Sequence, residues 1–182
     1  NYDAITFYLK QSYEDMWKDF RDEFGKTILS VWVDEPSYSS AALPWSRALA
    51  PAFRQRWGYD IQPKIPLLYY DRDDYATVRY HYWQIVQELL KTAYFIQVRD
   101  WCRRNHLLFS GHLMTEDTLA MQLLRAGATM PYYKYFDIPG IDYLTAEMNW
   151  RHAPLKARSE NTRRRAGLYT TPLQCCSAAQ QA

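Results

Sequence analysis

Ile28-Leu29-Ser30-Val31-Trp32-Val33-Asp34-Glu35-Pro36 is the stretch on which the reading of this chain turns. Its first part is rich in β-branched and aromatic residues, too short for a stable helix but suited to a buried strand, and Asp34-Glu35-Pro36 stops it. In sheets of parallel strands the carboxyl ends face the ligand crevice. An acidic pair at this point therefore stands where chemistry would be done.

Upstream, Phe7, Leu9, Tyr13, Met16, Trp17 and Phe20 recur near helical spacing, which predicts a helix from Ile5 to Phe24 ended by Gly25. Downstream, Ser37 to Pro44 reads as a loop, and Ser46 is suited to cap a helix running through Phe53 to Trp57 and closed by Gly58. Pro63 and Pro66 mark a further turn. Val78, Tyr82, Ile85, Leu89, Ala93 and Ile96 then form one stripe of a long helix from about Thr77 to Asn105, without internal Gly or Pro.

Leu107 to Leu113 reads as a second buried strand, followed by a helix from Glu116 to about Arg125 with Thr115 as its cap and Gly127 as its end. After a Pro139-Gly140 turn, Ile141-Asp142-Tyr143-Leu144 suggests a third strand. Strand and helix alternate, which is the mark of parallel βαβ construction with crossover helices. From Trp150 the pattern degrades, with Arg163-Arg164-Arg165 in a polar stretch and a short helix predicted only over Pro172 to Gln181.

The bulk properties agree with a folded α/β chain. Its 182 residues are 48% hydrophobic and 23% charged, a globular balance that suits one domain or part of a larger one. A complete eightfold barrel needs about 250 residues, so a barrel reading makes residues 1–182 a single partial barrel domain with an irregular segment over 150–171. The net charge of +2 is too small to draw a polyanion by its bulk field, and no run of 18 or more apolar residues is present to span a bilayer. Neither nucleic acid nor membrane is the expected partner. The arginine run at 163–165 reads as a solvated segment.

Cys102, Cys175 and Cys176 show no metal-ligand spacing, and His81, His106, His112 and His152 form no HExxH or paired array. No metal site is readable. Cys102 and Trp101 read as core. Asn1-Tyr2-Asp3-Ala4 lacks a basic region followed by an apolar one, which leaves the compartment open among cytoplasm, periplasm and secretion.

Glu35 is the candidate catalytic residue. Glycosidic hydrolysis needs a carboxylic acid to protonate the departing oxygen and a second carboxylate as nucleophile or base. Asp34 beside Glu35, and apolar walls from Trp32 and Trp45, would favour its protonated form. The plainer role for Glu35 is a loop carboxylate capping the next helix.

His112 and Glu116 form a second constellation, near the end of the second strand and the start of its helix, where a neutral imidazole could donate to a substrate hydroxyl or to a carboxylate and Glu116 could accept from sugar hydroxyls or provide charge. The plainer roles are a satisfied semi-buried histidine and a carboxylate favourably placed at a helix amino end. Asp142, a carboxylate within an apolar strand, is expected to be paired or to bind substrate. Asp34 and Trp45 complete the candidate substrate-binding set. Tyr132, Tyr133 and Tyr135 read as packing.

Val33-Asp34-Glu35-Pro36, Gly111-His112-Leu113 with Glu116, and Pro139-Gly140-Ile141-Asp142-Tyr143-Leu144 occur here with Leu43-Pro44-Trp45, Trp57-Gly58-Tyr59-Asp60, Arg79-Tyr80-His81-Tyr82-Trp83 and Asp100-Trp101-Cys102. Together they resemble the catalytic (β/α)8 TIM barrel of large bacterial glycoside hydrolases related to α-L-rhamnosidases, over roughly Ile5 to Leu144. The resemblance implies that the three strands correspond to barrel strands four, five and six. Glu35 would be the acid or acid/base, with His112, Glu116 and Asp142 lining the sugar subsite.

The second carboxylate of that family is expected on the seventh strand, after a helix like Pro172 to Gln181, and this chain stops at Ala182 before it. The remainder of the barrel or a partner chain is therefore expected to close the sheet, since open edges and uncovered apolar faces favour association. Some members of such families place a divalent cation such as calcium at the sugar, and no ligand set in the sequence defines one. The alternative to a hydrolase fragment is a non-catalytic carbohydrate-binding or structural barrel module, which shares the aromatic content.

Overall fold

The computed structural model describes residues 1–38, 43–114 and 118–140. Three strands, β1 (Ser30–Val33), β2 (Leu108–Gly111) and β3 (Ile138–Pro139), form one parallel sheet in the order β1-β2-β3. Ser30 pairs with Leu108, Val33 with Gly111, and Ser110 with Ile138. The α/β class and the parallel pairing agree with the sequence reading.

The chain enters through α1 (Tyr2–Tyr8) and α2 (Glu14–Phe20), joined by a π-helical turn over Leu9–Tyr13. Leu9 and Tyr13 are buried, while Phe7, Trp17 and Phe20 of the expected stripe are exposed. An added residue per turn in the π segment rotates the remainder of the helix, so a strict helical period misplaces the buried face.

Between β1 and β2 lie α3 (Leu49–Trp57), a 3₁₀ segment over Gln62–Leu68, and α4 (Tyr75–Leu90) continuing through a π segment, Lys91–Ile96, into α5 (Gln97–Arg104). Ser46 contributes its carbonyl to Leu49 N–H, and its hydroxyl does not cap α3 as expected. Gly58 ends α3 in the left-handed conformation. Along the long helix Val78, Tyr82, Ile85 and Ala93 are buried as the stripe requires, but within the π segment burial passes to Phe95 and after it to Val98 and Cys102. The same rotation explains the shift.

Beyond β2, α6 (Leu119–Arg125) begins three residues later than expected, with the Thr118 hydroxyl accepting from Met121 N–H; the expected cap, Thr115, lies outside the described residues. A short helix, α7 (Met130–Tyr133), carries Tyr132 and Tyr133 into the core, as their packing role implied.

The third strand precedes the place expected for it. Asp137 N–H donates to Phe109 O, and Gly140 N–H donates to Gly111 O. Pro139, read as a turn, sits between these two donors and has no N–H to give, and the Gly140 N–H donates to Gly111 O in its place. Residues 141–144 lie outside the described residues.

One face of the sheet is packed. Val31, Val33 and Phe109 meet Phe95, Val98, Trp101, Cys102, Tyr132, Tyr133 and Phe136 in the main core. A second cluster, Leu49, Phe53, Ile61, Tyr82, Ile85 and Val86, holds α3 against α4. Asp137 fastens strand to helix, accepting from the Phe109 N–H at 3.0 Å and from Arg103 at 2.9 Å. The opposite face carries Trp32 and Leu108, both exposed among the described residues. Among the described residues, three strands leave that face without a covering layer.

Candidate active site

The register that sets Val33 against Gly111 delivers the next residue of each strand, Asp34 and His112, to the same edge of the sheet. His112 Nε2 lies 2.8 Å from Asp34 Oδ1. An ionised carboxylate only accepts, so Nε2 carries the hydrogen and donates. The His112 ring is 3% exposed, and its Nδ1 is buried without a hydrogen-bond partner among the described residues. Asp34, by contrast, is open to solvent, with its second oxygen available.

Gly111 makes this approach possible. A Cβ on it would stand 2.2 Å from Val33 O, and its φ of +148° is a conformation that side chains rarely adopt.

Glu35 follows with φ +46°, the left-handed region, where a non-glycine residue is strained. It is half-buried, and makes no hydrogen bond or ion pair with another described residue. The loop that leaves it is tied down by Tyr38, whose N–H donates to Arg125 O and whose hydroxyl donates to Leu123 O at 2.7 Å.

Strand alternation puts Trp32 on the same face as Asp34. Its ring centroid is 5.7 Å from that of His112 at an interplanar angle of 41°. Its Cη2 would be 2.6 Å from a Cβ built on Gly140, so the indole reaches the end of β3.

Of the residues singled out in the sequence, Asp34 and His112 are in direct contact and Glu35 adjoins them in the chain. Trp45 lines a cleft of about 560 Å3 with Pro36, Tyr38, Leu49, Leu89 and Tyr94, and Glu35 is not one of its walls. Glu116 and Asp142 lie outside the described residues. Trp32, read as an apolar wall, is central to the site. The period-2 pattern of Ser30, Trp32 and Asp34 is the signal that marks it.

Among the described residues no three His, Cys, Asp or Glu side chains converge as metal ligands would, and no helix is long and apolar enough to cross a membrane.

The fold is that of an α/β protein whose parallel strands are linked by crossover helices, with its polar cluster at the strands' carboxyl ends. No protein-family model matches the chain, and no curated protein matches it. Among solved structures it is similar to a rhamnosidase from Novosphingobium sp. PP1Y, with a TM-score of 0.65 and 21% identity. The match covers 88% of this chain and 16% of that one, so the chain spans about a sixth of the enzyme's length. At that identity the likeness shows the fold.

Proposed function

We propose that this chain supplies strands four to six of a (β/α)8 barrel in an α-L-rhamnosidase-like glycoside hydrolase, with Glu35 as the general acid. The observation that carries the reading is the Asp34–His112 pair at the carboxyl ends of two adjacent parallel strands, with Glu35 held next to it in a strained backbone conformation. In α/β enzymes that edge hosts the ligand, and local strain concentrates at working residues. The fold shared with a rhamnosidase supports the substrate class.

In this mechanism the Glu35 carboxyl protonates the departing glycosidic oxygen as the bond to the anomeric carbon breaks. Asp34, oriented by the His112 N–H, accepts hydrogen bonds from the sugar hydroxyls. A second carboxylate, contributed by the remainder of the barrel or by a partner chain, acts on the opposite face of the sugar ring as nucleophile or base. Glu116 and Asp142 are assigned to the rim of the sugar subsite and Trp45 to the neighbouring aglycone side.

Replacement of Glu35 by Gln in the full-length protein tests the reading. Hydrolysis of an alkyl α-L-rhamnoside should fall by roughly 10²–10⁴-fold, the usual contribution of general acid catalysis. Unchanged turnover would remove Glu35 from the mechanism.

A further inference from the structure

The geometry points to Trp32 as the floor on which the apolar face of a pyranose ring stacks, beneath the Asp34–His112 pair. This rests on the glycoside-hydrolase reading and adds to it the side chain that holds the sugar.

Three features place the indole for this task. Trp32 is set by alternation on the face of the sheet that carries Asp34, two residues before it, and is 44% exposed among the described residues. Its partner in the register is Ser110, a small residue whose hydroxyl turns away to donate to Val31 O at 2.9 Å, leaving the face of β2 low. The ring can therefore lie across β2 and bring Cη2 against Gly140, where a Cβ would stand at only 2.6 Å. One side chain thus spans from β1 to the end of β3.

The position of Gly140 is itself fixed. Its N–H donates to Gly111 O at 2.8 Å and its carbonyl accepts from the Tyr133 hydroxyl at 3.1 Å. His112 lies beside the ring as well, with 5.7 Å between centroids, so the indole has a neighbour at the ends of both β2 and β3.

A flat apolar surface next to a carboxylate suits a sugar better than most small ligands. The C–H groups on one face of a pyranose pack on the ring, and its equatorial hydroxyls reach outward to acceptors. Asp34, with its side chain 78% exposed, offers those acceptors at the edge of the platform. A purely structural Trp32 would fill space in the sheet interior without affecting ligand affinity.

The experiment is calorimetric titration of the full-length protein with L-rhamnose, for the wild type, Trp32→Ala, Trp32→Tyr and Gly140→Ala, with unfolding midpoints and hydrolysis of an aryl α-L-rhamnoside measured alongside. Trp32→Ala should weaken binding about tenfold or more, or about 1.4 kcal/mol, and Trp32→Tyr should stay within about threefold. Gly140→Ala, which drives a methyl group into the indole edge, should weaken binding while every tryptophan is retained. Should Trp32→Ala not fold, Gly140→Ala and Trp32→Tyr decide. Equal affinity in the wild type and in Trp32→Ala or Gly140→Ala, with hydrolysis intact, overturns the stacking floor and leaves the hydrolase reading standing. A wild-type protein that neither binds L-rhamnose nor cleaves the rhamnoside overturns both.

Discussion

His112 Nε2 and Asp34 Oδ1, 78 positions apart in the chain, meet at 2.8 Å where two adjacent parallel strands end. The bond joins an almost fully buried ring to an exposed carboxylate, so the histidine fixes and the aspartate presents. An Asp34→Ala, His112→Ala double-mutant cycle should give a coupling of about 0.5–1.5 kcal/mol in stability, the range for one hydrogen bond with partial solvent access. Asp34→Asn should leave the unfolding midpoint nearly unchanged yet weaken sugar binding. Zero coupling in the cycle would mean that the two side chains do not hold each other in solution.

The left-handed backbone at Glu35 gives a second expectation, independent of activity. Glycine adopts φ +46° without steric penalty, whereas a β-branched residue is badly strained there. Glu35→Gly should therefore be at least about 1 kcal/mol more stable than Glu35→Val in denaturant titrations. Equal stabilities of the two variants would place Glu35 in an ordinary extended conformation.

Asp137 and Arg103 form an ion pair whose members are unequally buried, 11% and 54% exposed at the side chain. Removing the arginine takes away a largely hydrated partner. Removing the aspartate also orphans the buried Phe109 N–H. Asp137→Ala should cost about 2–3 kcal/mol and Arg103→Ala under about 1 kcal/mol, read from unfolding midpoints. The reverse order would show that the charge pair, rather than the backbone bond, anchors β2.

Burial, followed by the nearby Asp137 charge, pushes the Cys102 thiol up to about 12 from an ordinary 9.0. At pH 8 the folded protein should carry almost no Cys102 thiolate, and alkylation of that residue should be at least about 100-fold slower than in the unfolded chain. The shift also ties stability to pH. Below the unfolded value both states keep the proton, whereas between about 9 and about 12 only the unfolded state loses it, so stability falls as pH rises. Cys102→Ala should flatten part of that alkaline decline, and an unchanged slope would contradict the shifted thiol.

The parallel sheet and the alternation of strand and helix were legible because Val31, Val33 and Phe109 belong to short apolar runs bounded by clear stops. The burial of Tyr132, Tyr133, Trp101 and Cys102 was legible for the same reason of composition. The features that escaped depend on geometry that no local pattern encodes. The π segments at Leu9–Tyr13 and Lys91–Ile96 rotate the stripe that follows them, and so Phe20 faces solvent while Val98 and Cys102 are buried. Pro139 looked like a turn because it lacks an N–H, yet the ladder takes its donors from Asp137 and Gly140.

At the site, the position of Glu35 and Asp34 after β1 was legible, and so was a His112 suited to donate to a carboxylate, but not which carboxylate it meets. Distance in sequence conceals a register, and only the pairing of Val33 with Gly111 brings the two strand ends level. Trp45, grouped with Glu35 on chemical grounds, lines a cleft that reaches Pro36 but does not include Glu35 among its walls.

If Glu35 delivers the proton to the leaving oxygen, the leaving group itself is the most direct probe. In the full-length protein, Glu35→Gln should be compared with wild type on a series of α-L-rhamnosides running from nitrophenyl to alkyl leaving groups. Poor leaving groups need the proton and good ones do not, so the loss should grow from about tenfold or less for nitrophenyl to roughly 10²–10⁴-fold for alkyl. A loss that is the same across the series, or absent from the alkyl rhamnoside, would contradict the assignment.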